Sequence, residues 1–120
     1  IPTSKQERAE CMSWLFWQAS GGPALGMFNI YFFYSDENDK HRDSIDRFAL
    51  EVKRQLTVLN GRLRGRKFIC GEEPTIADFA VFPWTRTYKK RQKVAEFVSL
   101  HEYTEIIAWM DRLLARPAVQ

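Results

Sequence analysis

Cysteine and histidine are scarce in this sequence: two of each occur among 120 residues. Cys11 and Cys70 stand far apart, with no second Cys or His at metal-ligand spacing, so neither a CxxC redox pair nor a zinc site is written into the order of residues. Both cysteines are expected as buried or half-buried small apolar residues of a reducing compartment. His41 and His101 each stand alone on segments that read as exposed. There is no Gly-rich phosphate loop, no paired-carboxylate spacing and no nucleophile elbow, so no catalytic constellation appears. Nor does any apolar run approach the ~18 residues that cross a bilayer. Ile1-Pro2-Thr3-Ser4-Lys5 carries neither an initiator Met nor the charged-then-apolar order of a signal peptide. The expectation is a cytosolic chain that is a piece of something longer, with no membrane partner.

What is present is apolar and aromatic. With 45% hydrophobic and 14% aromatic residues the chain is too apolar for a disordered tail. Its length suits one domain that buries roughly two-thirds of its unfolded surface. The net charge of +3 is unevenly placed. Residues 62–93 hold nine Lys and Arg side chains against Glu72, Glu73 and Asp78. That stretch reads either as an anion-binding patch or as a solvated helix end and loop. The cations are not interleaved with aromatics as in a stacking platform, so no nucleic-acid partner is expected.

The periodicity is helical throughout. Residues 4–19 start with Ser4 and Glu7 as a capping box, and Gly21-Gly22-Pro23 reads as the stop. From Asp43 to Leu63, Ile45, Phe48, Ala49, Val52, Leu56, Leu59 and Leu63 mark one face of a long amphipathic helix. A third helix starts at Thr75, with Pro83 expected to kink it, and a fourth covers Tyr103 to Ala115 with Pro117 ending it. Residues 28–34 are rich in β-formers but have no strand to pair with, so they read as an aromatic loop or extended helix end packed on a helical bundle. The fold class is all-α.

Thr75-Ile76-Ala77-Asp78 is a capping box in which Thr75 accepts from the first turn and the Asp78 carboxylate reaches back to the Thr75 N–H. Its role is structural, since no nucleophile or His accompanies Asp78. Trp14, Phe16 and Trp17 lie within four positions and cannot all face one core stripe, so at least one must cover another surface. Trp84, beside Pro83, is either core filling or the wall of an apolar pocket.

The segments WLFWQASGGPALG at 14–26, SIDRFALEVKRQLTVLNGRL at 44–63, FICGEEPTIADFAVFPW at 68–84 and RPAV at 116–119 resemble, in order, the C-terminal helical domain of cytosolic glutathione transferases. Within that superfamily they are most similar to the bacterial Nu-class and fungal nitrogen-regulator prion-like groups. The resemblance implies that residues 1–120 form one helical bundle domain and that a thioredoxin-like N-terminal domain, absent from these residues, binds glutathione and holds the catalytic group. It implies a homodimer and an electrophile or disulfide as second substrate. Arg47 is the glutathione contact it carries over; Gln18, Phe28, Phe32 and Trp84 are the pocket lining; Thr75 and Asp78 match the family's folding box. Pro74 stands where relatives carry a large apolar residue that staples onto the first turn, so its contact with Phe79 is expected to be weaker. The basic residues 86–93 depart from a typical pocket wall and point to an anionic substrate. The other class of function that the same domain implies is a non-catalytic module, as in translation-factor and tRNA-synthetase accessory proteins.

Overall fold

The stripe of apolar residues from Ile45 to Leu63 becomes the buried face of a helix, α2 (Arg42–Leu63), around which the other elements pack. In the computed structural model, residues 1–33 and 42–119 are described, excepting the side chains of residues 23–25 and 29–33. Before α2 lies α1 (Lys5–Phe33); after it come α3 (Ile76–Lys90), the short α4 (Gln92–Phe97), a 3₁₀ turn at Leu100–Glu102, α5 (Thr104–Leu114) and a last 3₁₀ turn at Pro117–Val119. Among the described residues every regular element is helical, and the only extended pairing is an isolated bridge between Phe68 and Gly71. None of these helices is long and apolar enough to cross a membrane.

α1 corrects one expectation. It does not stop at Gly21-Gly22-Pro23 but runs on to Phe33. Neither glycine has the positive φ of a helix terminator, a conformation confined among the described residues to Gly65, Gly71 and Ser99. Gly21 instead lets α2 come close: a Cβ there would stand 2.9 Å from the Gln55 side chain, which donates to the Gly21 carbonyl at 3.3 Å. Pro23 withdraws only the N–H that would have met the carbonyl of Ala19, an exposed residue that water can serve. Of residues 28–34, 28–33 continue the helix and Tyr34 lies outside the described residues. The aromatic cluster divides as its spacing requires: Phe16 is 69% exposed, while Trp14 and Trp17 pack edge to face at 5.1 Å against the core.

α3 is likewise continuous through Pro83, whose missing N–H frees the carbonyl of the half-exposed Phe79. α5 has no cap of its own. The Asn60 side chain, reaching from α2, accepts the backbone N–H groups of Glu105 and Ile106 at 3.1 and 3.2 Å. Part of the basic stretch has partners within the fold, Lys67 and Lys89 in exposed ion pairs. Arg62 pairs with Glu10 and donates to the Ile69 carbonyl at 2.8 Å, which ties α1 to the turn between α2 and α3. Arg112 donates to the Lys67 carbonyl, Lys89 pairs with Asp111, Lys67 pairs with Glu72, and Arg86 lies over the Phe82 ring.

Candidate functional site

Asp78 organises the start of α3. The capping box is reciprocal: Ala77 N–H donates to Thr75 Oγ1 at 3.2 Å, and Thr75 N–H donates to Asp78 Oδ2 at 2.8 Å. The other carboxylate oxygen, Oδ1, accepts from the Ile69 N–H at 3.0 Å and from the Trp109 indole at 2.8 Å. Asp78 is fully buried, so every one of these bonds replaces water that cannot reach it. One carboxylate therefore joins the α2–α3 turn, α3 and α5. Such an arrangement holds a fold; with its oxygens occupied by donors it offers nothing to a substrate.

Two turns along α3 the packing opens. Trp17 and Gln18 from α1, Gln55, Leu56 and Leu59 from α2, and Val81, Trp84, Thr85 and Tyr88 from α3 line a cleft of about 20 Å³, mostly apolar, large enough for about one water. Gln18 and Trp84 thus meet at one site, and Gly22 lies between them: a Cβ on it would be 3.6 Å from Gln18 Nε2 and 3.9 Å from Trp84 Cζ2. Thr85 turns its hydroxyl to the Phe82 carbonyl at 2.9 Å, and burial drives the Tyr88 phenol well above its ordinary pKa. Gln55 was missed by sequence reasoning, although a lone Gln on an apolar stripe is a readable signal. It is 4% exposed and bonds both the Gly21 carbonyl and, at 3.1 Å, Glu51.

The remaining candidate residues lie elsewhere. Phe28 is fully buried behind the cleft, its ring 6.4 Å from Tyr88 and 5.9 Å from Phe97. The side chain of Phe32 and all of His41 lie outside the described residues. His101 is exposed on the 3₁₀ turn. Arg47 is exposed on the outer face of α2, where it borders a shallow surface with Phe48, Leu50, Glu51 and Arg54. The structure does not bring it to the α1–α3 cleft. On that surface Glu51 accepts from Arg54 at 2.6 and 2.8 Å and from Gln55, and these donors hold its carboxyl down to about 2. No group of three His, Cys, Asp or Glu among the described residues is placed to hold a metal.

The chain belongs to the glutathione S-transferase C-terminal domain family, whose model matches residues 23–117. It is 35% identical to the disulfide-bond oxidoreductase YghU of Escherichia coli, over all of this chain and 42% of that protein. Among solved structures it is similar to glutathione transferase YghU of Streptococcus pneumoniae complexed with glutathione, at TM-score 0.92 and 36% identity over 99% of this chain and 46% of that one. A glutathione transferase of Pseudomonas putida with one glutathione disulfide bound per subunit matches at TM-score 0.93 and 32% identity, over 100% of this chain and 52% of that one. The chain therefore spans about half the length of the relatives it matches.

Proposed function

We propose that this chain is the C-terminal domain, residues 1–120, of a cytoplasmic glutathione-dependent transferase or disulfide reductase of the Nu-like group. The observation that carries the reading is the meeting of Gln18 and Trp84 in one cleft between α1 and α3, in a chain whose relatives hold glutathione or glutathione disulfide. In this reading a thioredoxin-like domain of the parent binds glutathione and supplies the group that favours its thiolate. The thiolate then attacks an electrophile or a mixed disulfide. Trp84 and Gln18 form the wall facing the second substrate, with Phe28 supporting Tyr88 from behind. The exposed cation of Arg47 reaches a glutathione carboxylate. Leu50, 69% exposed beside Arg47, supports an apolar contact with a second subunit of a homodimer.

Titration of the full-length parent with glutathione tests the assignment. Arg47→Ala weakens binding about tenfold, as expected for the loss of one charge-assisted hydrogen bond, and leaves the melting temperature unchanged because the side chain is exposed. Unchanged affinity removes Arg47 from the site. Absence of any glutathione turnover by the parent, with tight salt-dependent RNA or synthetase binding, would replace the enzyme reading by the interaction-module one.

A further inference from the structure

α3 turns a second face away from the core. Ile76, Phe79 and Pro83 are exposed at steps of three and four along one stripe, a spacing that in a folded domain ordinarily packs against a neighbour. Beside them α3 and the last 3₁₀ turn enclose an open groove of about 540 Å³. Its apolar floor comes from Phe79, Phe82 and Pro83, with Val119 across from them. Phe82 is held from below by Trp109, edge to face at 6.0 Å between ring centroids. The rim is cationic: Arg86, Lys90 and Arg116 line the groove, and among the described residues no Asp or Glu does. None of the three is in an ion pair among the described residues, and the Arg86 guanidinium instead lies 5.8 Å over the Phe82 ring. The shallow surface around Leu50 differs, because there Glu51 already pairs with Arg54. Three like charges around a wet apolar floor repel one another and keep apolar area in water. Both costs end when an apolar side chain flanked by carboxylates is seated there.

We propose that this groove seats the part of the parent that lies outside residues 1–120, with an apolar side chain set between Phe79, Pro83 and Val119 and carboxylates set on Arg86, Lys90 and Arg116. The chain spans about half the length of its relatives, so a comparable length of polypeptide is there to be seated. Contacts between the parts of one chain are commonly of this mixed apolar and polar kind. Pro83 lines the groove and its neighbour Trp84 lines the cleft, so the seated part borders the wall assigned to the second substrate. The inference rests on the two-part parent of the proposed function. It adds the face of α3 on which the two parts meet and the cations that latch them.

The test uses the full-length parent. Zero-length carbodiimide coupling of amines to carboxylates, read by peptide mass mapping, is expected to join Lys90 to an Asp or Glu outside residues 1–120 of the same molecule. High salt suppresses that link, because it screens the rim. The second measurement needs a variant: iodoacetamide modifies Phe79→Cys at least about tenfold more slowly than it modifies the same variant carrying Lys90→Glu and Arg116→Glu, since only in the latter is the groove uncovered. Lys90 left unlinked, or linked only within residues 1–120, would overturn the proposal. So would a link between two copies, detected by mixing isotope-labelled and unlabelled parent, or equal modification rates in the two backgrounds. Glutathione titration of the same parent keeps the two readings apart. Binding without these links removes the groove assignment alone, whereas links without binding remove the transferase reading and leave the groove assignment standing.

Discussion

The two halves of α3 are built from the same helix and do opposite things. At its N-terminal end Asp78 is buried with all of its oxygens engaged by Thr75, Ile69 and Trp109, and nothing is left over for a ligand. At its C-terminal half Trp84, Thr85 and Tyr88 meet Gln18 and Gln55 across a gap. A buried carboxylate is tolerated only when every lone pair is met. A cleft, by contrast, requires that packing be left unfinished. The difference separates the part of the helix that holds the domain from the part whose packing leaves a small gap.

The largest break in that contrast is at Asp78. Asp78→Ala leaves the Ile69 and Thr75 N–H groups and the Trp109 indole without their partner in a dry interior. The expected loss is about 3–5 kcal/mol in chemical denaturation. Asp78→Asn keeps the shape and one acceptor but turns an amide toward the Thr75 N–H, for a loss of about 1–2 kcal/mol. If Asp78→Ala melts like the unaltered chain, the node does not hold the fold.

The cleft end responds less, and through a pair. Gln55→Ala removes the bonds to the Gly21 carbonyl and to Glu51 and leaves a small void, costing about 2 kcal/mol. Gly21→Ala alone meets the Gln55 side chain at 2.9 Å, which offsets the gain in helix propensity. In the Gln55→Ala background the obstacle is gone, and the same substitution stabilises by about 0.5–1 kcal/mol. A double-mutant cycle therefore reports coupling; additive effects would show that Gly21 is not there for the close approach.

These residues also mark how far the sequence is readable. α2, the start of α3 and α5 follow from 3.6-residue periodicity and from Thr75 and Asp78, because both signals are local. The length of α1 does not. Gly-Gly-Pro is turn chemistry in isolation, and only the arrival of Gln55 from 34 residues away makes Gly21 a packing residue. Half of the Asp78 node was legible for the same reason: Thr75 is three residues off, whereas Trp109 comes from 31 residues downstream. Of the site, Gln18 and Trp84 lie together, whereas Phe28 is buried in the core against Tyr88 and Phe97, contacts that come from far along the chain.

The smallest effect belongs to Glu51, which connects the cleft to the outer face of α2. Arg54 and Gln55 hold its carboxyl down to about 2, below the ordinary value of 4.5. A depressed carboxylate contributes stability that is present above its unfolded pKa and is lost as the pH falls through its folded one. The contribution of Glu51 is therefore complete at neutral pH and disappears between about pH 5 and pH 2. Because the Arg54–Glu51 pair is largely solvated, it amounts to no more than a few degrees in melting temperature. Glu51→Gln is expected to melt slightly below the unaltered chain at pH 7, with the gap narrowing below pH 5. The gap should also narrow in high salt, which screens Arg54 but leaves the hydrogen bonds around Asp78 in place. A gap that widened toward acid would mean that Glu51 is held by something other than these two donors, and that the cleft is tied to the α2 surface by a different route.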